Sequence, residues 1–257
     1  MRGRKIRGGC ASSEAVVCSS PVSFLGGVDT TSGKLADVEE DAKGLSIADK
    51  VFCFPFGKGS TVGSYAMYQL RLNELAPAAI INDSAEPIIA TGAIIADIPM
   101  VDGIETELLR TGDHLDVDAD SGEVELVGVK DRHVVTSIMR NKRKILLLQR
   151  SDKVGSYRGR WAGVSGYMEK GEDDVSAAKR EIEEEIGHRS VHLAKHAETI
   201  RFRDGDVVWS VHPFLFDVKV PSIKIDWEHR SFEWISPYDV KRFNTVPGLQ
   251  KVVQKLL

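Results

Sequence analysis

Four glutamates stand close together in the segment KREIEEEIG, which covers residues 179–187. At about 100° per residue, a helix here has one apolar stripe, and Glu181, Glu184 and Glu185 share the face beside it. Like charges at such spacings destabilise a helix by roughly 0.2–0.5 kcal/mol per pair. The cluster is therefore either a solvated face or the binding place of a cation. Carboxylate oxygens are ligands that Mg²⁺ favours.

The glutamates belong to a longer pattern, GYMEKGEDDVSAAKREIEEEIG. Five residues separate Gly166 from Glu172, and seven more precede Arg180. The pattern resembles the signature of the Nudix hydrolases at all of its fixed glycine, glutamate and arginine positions, and departs from it at His188, where the family usually has an apolar residue. The resemblance implies an α/β/α sandwich that hydrolyses a diphosphate linked to another group, with Mg²⁺ or Mn²⁺.

The same resemblance assigns roles within the pattern. It implies that Arg180 orients a neighbouring carboxylate and that Glu172 is its outer or structural partner, although a purely structural ion pair explains these two residues equally well. Carboxylates at positions i, i+3 and i+4 of a helix can hold more than one cation. The implied metal ligands are Glu181, Glu184, Glu185 and the carbonyl of Ser165, with Glu184 and Glu185 also counted as catalytic.

Further candidates flank this pattern. Glu228, in DWEHRSFEWISPYDV, is similar in context to an extra acid that many Nudix chains use as metal ligand or base, so we count it as catalytic. Arg150 and Arg160 precede the glycine-rich loop and can bind phosphate through their guanidinium groups. Trp161 beside them either contacts the substrate or belongs to the core. The general base and the leaving group stay open.

For two other groups of polar residues, we predict structural roles and no part in catalysis or metal binding. His188, His192 and His196 recur every fourth residue, but Gly187 ends the helix before them, so we expect surface histidines. Asp204 and Asp206 in RDGDV are typical of a hairpin turn.

A second candidate site is the segment FGKGSTVGSY, residues 56–65. It follows a predicted strand and opens a predicted helix, so its backbone N–H groups can point at an anion. It does not fit the phosphate-binding P-loop pattern, because Lys58 comes too early. A tight structural turn explains the segment as well on local grounds.

The surrounding sequence is informative about this loop. GGCASSEAVVCSSPVSFLGGVD, PFGKGSTVGSY and AAIINDSAEPIIATGAIIADIPMVDG together resemble the small swivelling domain of the aconitase X dehydratases. Within that family, the chain is most similar to the separate small subunit of archaeal phosphomevalonate dehydratase. The resemblance covers nearly all of residues 1–128, with Thr30 where a proline is common.

This resemblance implies that Ser60 is the base that takes a proton from the substrate. A serine hydroxyl is a poor base unless its alkoxide is stabilised, which the surrounding N–H groups and Lys58 can do. The implied reaction is the dehydration of 5-phosphomevalonate to trans-anhydromevalonate 5-phosphate, in the mevalonate route to isoprenoids. The substrate-binding residues that we assign to the loop are Gly57, Lys58, Gly59 and Thr61.

The family uses an iron–sulfur cluster to take the departing hydroxyl. The chain has three scattered cysteines, which cannot hold a [4Fe–4S] cluster because its thiolate ligands must converge in one place. The resemblance therefore implies that the cluster belongs to a separately encoded large subunit, and that the first half of this chain contributes half of an active site.

Composition sets the wider limits. A net charge of −4 gives no footprint for nucleic acid or for an anionic membrane. The longest apolar stretch, residues 88–101, is too short to cross a bilayer. The basic start is followed by no apolar signal core, and the cysteines fit no disulfide framework. We expect a cytoplasmic protein whose partners are the large subunit and small phosphate or diphosphate substrates.

The elements that must position these residues divide into two halves. Short strands and glycine-rich turns fill the first half, including a hairpin around Asp120-Ser121-Gly122, and a new pattern begins near His133. We expect a swivelling β/β/α domain, mainly β and barrel-like with helices, over residues 1–130. A Nudix α/β/α sandwich is expected over residues 131–257.

The predicted function is thus a dehydratase small subunit fused to a Mg²⁺-dependent diphosphate hydrolase. In the main alternative, only the hydrolase is active and the first domain is a ligand-binding or docking module. Two further alternatives concern the second domain. An isopentenyl diphosphate isomerase shares the Nudix fold but uses a catalytic cysteine, and no cysteine follows Cys53. A domain that senses a metabolite without cleaving it is disfavoured by the intact glutamate set.

Overall fold

The computed structural model describes residues 1–40, 42–219 and 223–257. The chain divides into two compact units, Met1–Val129 and Lys130–Leu257, and each is described by itself. Within the described residues, no helix is both long enough and apolar enough to cross a membrane.

The first unit contains nine strands and three helices among its described residues. The strands are β1 (Arg4–Arg7), β2 (Cys10–Val17), β3 (Val28–Asp29), β4 (Lys34–Leu35), β5 (Val51–Phe54), β6 (Ala79–Asn82), β7 (Met100–Asp102), β8 (His114–Asp118) and β9 (Glu123–Leu126). The helices are α1 (Phe24–Gly27), α2 (Val62–Leu72) and α3 (Pro87–Ile95), and a 3₁₀ turn covers Thr106–Leu108. The predicted strand, glycine loop and helix correspond to β5, residues 55–61 and α2.

Seven of these strands form one curled sheet in the order β1-β7-β6-β5-β2-β8-β9. The central strands β2, β5, β6 and β7 run parallel, and β1, β8 and β9 pair antiparallel. The segment before β1 returns to β9, where the Gly3 amide donates to the Gly122 carbonyl over 2.9 Å. This closure removes the open edges of the sheet and makes it barrel-like.

Side chains at alternating strand positions belong to two different hydrophobic cores. Phe52 and Ile80 contact the cluster beneath the helices, which includes Met67 on α2 and Ile89 on α3. Their neighbours point to the opposite face, where Val51, Ile81 and others fill the inside of the curled sheet. Successive strand residues point to opposite faces, so a run of apolar residues such as VFCF serves both cores. The unit is therefore a layered β/β/α arrangement, as expected.

The second unit begins with a twelve-residue strand. Its strands are β10 (Lys130–Asn141), β11 (Lys144–Arg150), β12 (Trp161–Ala162), β13 (Val164–Tyr167), β14 (His192–His196), β15 (Ile200–Asp204), β16 (Val207–Asp217) and β17 (His229–Ile235). Its helices are α4 (Asp174–Ile186) and α5 (Leu249–Leu256), with a 3₁₀ segment at Pro237–Arg242. Gly205 forms the predicted turn between β15 and β16.

These strands form a mixed sheet with a helix on each face. The path is β12-β11-β10-β16-β14, with β13 beside β10, β15 beside β16 and β17 beside β11; β10 and β16 are parallel. Val135 and Leu146 pack with α4 on one face, whereas Ile138 and Leu147 pack with α5 on the other. The predicted α/β/α sandwich is therefore confirmed.

Candidate functional site

Helix α4 positions the glutamates through its two ends and its buried stripe. The Asp173 carboxylate caps the first turn and accepts from the Val175 and Ser176 amides over 3.1 and 3.0 Å. Gly187, with a φ of 70°, ends the helix in the left-handed conformation. Ala178 and Ile182 are fully buried against the sheet. The rotation of α4 about its axis is thereby fixed, and with it the direction of the glutamates.

Arg180 organises the acidic face. Its Nε and Nη2 donate to the two carboxylate oxygens of Glu172 over 3.1 and 3.0 Å. Its Nη1 donates to Glu181 over 2.6 Å and lies 3.4 Å from a Glu184 oxygen. These hydrogen bonds lower the pKa of Glu172 and raise the pKa of Arg180. Arg180 therefore connects three carboxylates that would otherwise repel one another.

Gly166 on β13 makes room for the Glu181 side chain. A Cβ atom built on Gly166 would lie 1.9 Å from Cδ and Oε1 of Glu181, which no real contact permits. The fixed glycine of the sequence pattern thus has a steric reason. Burial raises the pKa of Glu181, although the adjacent Arg180 opposes that shift.

Glu185 is the buried member of the glutamate set, with only 4% of its surface exposed. Its Oε1 accepts from the Ser165 amide over 3.1 Å, while its Oε2 has no hydrogen-bond partner. Burial raises the pKa of Glu185 well above its ordinary value, and the charges of Glu181, Glu228 and Asp226 add to the effect. Ser165 contacts this cluster through its amide, and its carbonyl stays a predicted metal ligand.

His229 is a buried neighbour of Glu185 that was not predicted from the sequence. This residue begins β17, and its side chain is 1% exposed, between Glu185 and Asp226. Nε2 lies 3.5 Å from Oε2 of Glu185, and Nδ1 lies 2.9 Å from Oδ1 of Asp226. Burial lowers the pKa of His229, with Asp226 opposing the shift. No local pattern marks this histidine, because the contact with Glu185 joins segments that only folding brings together.

A pocket of about 380 Å³ opens beside these carboxylates. Glu181, Glu184 and the half-buried Glu228 line it together with Ser165 and Arg150. Most residues predicted for the hydrolase site therefore border one space. Glu185 lies behind it, in contact with the Ser165 amide.

Two flanking candidates lie elsewhere. Among the described lining residues of the pocket, neither Arg160 nor Trp161 occurs. The Arg160 guanidinium lies over the Tyr157 ring at 5.7 Å, and Trp161 packs edge-on against Phe243 at 5.1 Å between centroids. The core alternative for Trp161 fits this packing. His192 and His196 lie exposed on β14, as expected of surface histidines.

The donor set beside the pocket fits a divalent cation of the Mg²⁺ type. The donors are carboxylate oxygens, and Oε2 of Glu185, which makes no hydrogen bond, is a buried acceptor of the kind that an ion satisfies. Within the described residues, one group of three potential metal ligands (His, Cys, Asp or Glu) has its ligand atoms within 4.8 Å of one another. This group is Cys10, Asp118 and Asp120 in the first unit. Glu181, Glu184 and Glu185 do not meet this distance limit, although Glu181 and Glu184 both contact Nη1 of Arg180.

In the first unit, the glycine loop lies where three segments meet. Val22 forms a bridge with Gly57, and the Lys58 amide donates to the Val22 carbonyl over 2.9 Å. A Cβ on Gly57 would lie 2.2 Å from the Ile89 side chain, and Gly59 has a φ of +108°. The loop therefore needs both glycines for close packing and for its backbone path.

Ser60 is exposed in this loop, next to the start of α2. Its Oγ accepts from the Val62 amide over 3.3 Å, and its carbonyl accepts from the Gly63 amide over 2.9 Å. An N–H group directed at Oγ is the kind of donor that stabilises an alkoxide. Lys58, Gly59 and Thr61 are exposed beside it, whereas Gly57 is buried against the Ile89 side chain.

The cysteines of the first unit do not form a cluster site. Cys10 is exposed, whereas Cys18 and Cys53 are buried. Burial raises the pKa of the Cys53 thiol, so it stays protonated and inert. Three thiols of such different environments do not fit a [4Fe–4S] cluster.

Comparison with known proteins accounts for both units. Residues 1–126 match the aconitase X swivel domain, and residues 130–256 match the NUDIX domain. The phosphomevalonate dehydratase small subunit of Thermococcus kodakarensis is 58% identical over 127 residues, which are 49% of this chain and 96% of that protein. The small subunit of Methanosarcina mazei is 50% identical over 129 residues, 49% of this chain and 90% of its own.

Solved structures also match each unit. Aconitase X of Thermococcus kodakaraensis in its holo form covers 49% of this chain and 96% of its own, with 58% identity and a TM-score of 0.48. The MutT protein from Methanosarcina mazei Go1 covers 50% of this chain and 94% of its own, with 22% identity and a TM-score of 0.44.

The chain is therefore a two-domain protein in which an aconitase X swivel domain precedes a Nudix domain. Through its first unit it belongs to the family of phosphomevalonate dehydratase small subunits.

Proposed function

We propose that the second unit hydrolyses a diphosphate with the help of Mg²⁺ or Mn²⁺. The observation that carries this proposal is Glu185, a buried carboxylate with one oxygen that makes no hydrogen bond, beside a pocket lined by Glu181, Glu184 and Glu228. These glutamates would hold the cation, with Ser165 supporting Glu185 through its amide. A bound Mg²⁺ neutralises charge on phosphate oxygens and favours attack by water.

Other residues of the chain would position the glutamates, bind the phosphates and accept a proton. Arg180 holds Glu181 and Glu184 in place, and Arg150 offers a guanidinium to the phosphates at the pocket wall. Arg160 is proposed to help bind phosphate from outside the lining. Glu228 is half-buried in the pocket and is proposed to accept the proton of the attacking water.

Phosphate release by the full chain tests this proposal. We expect hydrolysis of an organic diphosphate only with Mg²⁺ or Mn²⁺, and a loss of about two orders of magnitude or more in Glu184→Gln and Glu185→Gln. The matched control is Glu183→Gln, because Glu183 lies on the same helix but pairs with Arg189 over 2.6 Å. Full activity in the Glu184→Gln, Glu185→Gln double variant would refute the assignment.

For the first unit, we propose the role of a dehydratase small subunit, acting on 5-phosphomevalonate together with a large subunit. The support is the identity with such subunits over almost their entire length and the loop that presents Ser60. Ser60 would take the substrate proton, while Gly57, Lys58, Gly59 and Thr61 would bind the substrate. The large subunit would contribute the [4Fe–4S] cluster that accepts the departing hydroxyl.

The alternative keeps the hydrolase and makes the first unit a docking or ligand-binding module. Mixing the full chain with a purified large subunit separates the two proposals, since dehydration of 5-phosphomevalonate is expected only from the mixture. A stable complex without dehydration would favour the docking module. In either case we propose a cytoplasmic protein, because its three cysteines fit no disulfide framework.

A further inference from the structure

The pocket of the second unit has two chemically different ends. One end carries Glu181, Glu184 and Glu228, where the proposed hydrolase would hold the diphosphate. The other end is built from the face of the sheet and the segment before α5. The nature of this second end defines which organic group the diphosphate carries.

The second end is apolar on several sides. Val134 on β10 and Val211 on β16 stand side by side in the parallel pairing of these strands. Phe202 on β15 stands opposite Trp209 on β16. The remaining apolar walls of this end are Ala162, Val246 and Pro247. Aliphatic and aromatic side chains thus surround the space.

Two polar groups of the neighbouring side chains are already engaged. The Tyr157 hydroxyl donates to the Asp204 carboxylate over 2.6 Å, and Nε of Arg150 donates to the Ser156 carbonyl over 3.1 Å. A nucleobase bound at this end would bury several N–H and C=O groups among carbon atoms. Burying such groups without hydrogen bonds costs free energy, which favours an occupant that has none.

Stacking of a base is also restricted. The Trp209 ring has Tyr157 and Tyr167 as neighbours, each 6.2 Å away between ring centroids. A third ring held between two others needs roughly 7–8 Å, which is two carbon contacts of about 3.5–4.0 Å. The aromatic residues therefore pack on one another and form a wall, with no open slot between them for a flat base.

We propose that the diphosphate carries an apolar hydrocarbon chain, held by the wall formed by Val134, Phe202, Trp209 and Val211. This inference rests on the proposed hydrolase function. Water would add its oxygen to phosphorus as the bridging P–O bond breaks, giving the monophosphate ester of the chain and inorganic phosphate. The proton of the water would go to Glu228 and then to solvent.

The first experiment compares substrates on the full chain with Mg²⁺. The probes are geranyl and dimethylallyl diphosphate against ADP and CDP, followed by phosphate release. We expect kcat/KM to be about tenfold or more higher for geranyl diphosphate than for either nucleotide, since each buried CH₂ favours binding by about 0.8 kcal/mol. A higher kcat/KM for ADP or CDP would overturn this inference and leave the hydrolase proposal standing.

Variants link the preference to the apolar end. Val134→Thr places a hydroxyl there with almost no change of shape, and should raise KM for geranyl diphosphate several-fold with kcat little changed. The matched control is Val207→Thr, on β16 but outside the pocket lining. An unchanged KM in Val134→Thr, with the fold intact by circular dichroism, would contradict the proposed wall.

A binding measurement keeps the inference separate from catalysis. Geranyl monophosphate should quench the tryptophan fluorescence of the full chain, and AMP should not, because Trp209 lines the pocket. The quenching should disappear in Trp209→Phe. If no diphosphate is cleaved but this quenching is seen, the hydrolase proposal fails and the pocket assignment holds. Quenching by AMP alone would overturn the pocket assignment.

Discussion

Nε2 of His229 lies 3.5 Å from Oε2 of Glu185, and both side chains are almost completely buried. Asp226 holds the opposite nitrogen of the same ring over 2.9 Å. The ring is held by Asp226 and packs against the Glu185 carboxylate without a hydrogen bond to it. The histidine thereby supports a carboxylate that we propose as a metal ligand.

His229→Ala should weaken Mn²⁺ binding by about 10–100-fold, because residues that orient a metal ligand contribute on that scale. Titration of the full chain with Mn²⁺, followed by electron paramagnetic resonance, measures the affinity. His192→Ala serves as control, since His192 is exposed on β14. Equal Mn²⁺ affinity in the two variants would show that His229 does not orient Glu185.

Gly166→Ala should displace Glu181, because the added Cβ would fall 1.9 Å from the Glu181 carboxyl carbon. We expect at least about a tenfold loss of Mn²⁺ affinity. Gly155→Ala is the matched control, since a Cβ at Gly155 meets nothing within 4 Å. A Gly166→Ala protein that binds Mn²⁺ like the parent would mean that Glu181 is not held where the structure has it.

The stability of the metal-free second unit should fall as the pH rises. The folded-state pKa of Glu185 lies well above the ordinary value of 4.5, so the folded form keeps a proton that the unfolded chain loses. The resulting stability is complete below about pH 4.5 and is lost as the pH rises through the folded pKa.

All four tryptophans lie after residue 130, so tryptophan fluorescence in urea follows the second unit alone. In Glu185→Gln the pH dependence should be weaker. Mg²⁺ should stabilise the parent more at pH 8 than at pH 5, because the cation favours the ionised carboxylates. A Mg²⁺ effect independent of pH would contradict this linkage.

Ser60→Ala should retain assembly with the large subunit and the colour of its cluster, yet abolish dehydration. The variant removes one hydroxyl oxygen that accepts from the Val62 amide and leaves the glycines of the loop unchanged. Gel filtration, the visible spectrum and product formation measure the three properties on one sample. Normal turnover by an assembled Ser60→Ala complex would rule out the role of Ser60 as the base.

Trp161→Ala should lower the free energy of unfolding of the second unit by about 2–4 kcal/mol, near the range for aromatic core truncations. Trp161 packs against Phe243 and lies outside the pocket lining, so KM for the diphosphate should change little. Urea unfolding and initial rates check the two expectations. A large rise in KM with unchanged stability would restore Trp161 as a substrate-binding residue.

The sequence by itself determined both folds and the positions of the proposed ligands on α4. Glycine, glutamate and arginine at fixed spacing identify the second unit. Helical periodicity alone predicts that Glu181, Glu184 and Glu185 share one face of α4. Three long segments identify the first unit, and the hairpin of β8 and β9 follows from alternation around Asp120-Ser121-Gly122. These features depend on residues that are close together in the sequence, so they can be predicted from the sequence alone.

Only the tertiary structure decided which of the acidic side chains are buried and how their pKa values differ. Glu185 and His229 are 44 positions apart, and nothing in the local pattern of either segment predicts their contact. Likewise, the apolar end of the pocket joins β10, β15 and β16 with the segment before α5. Burial, and with it the pKa of a carboxylate, depends on which distant segments exclude water. A linear pattern does not contain that information.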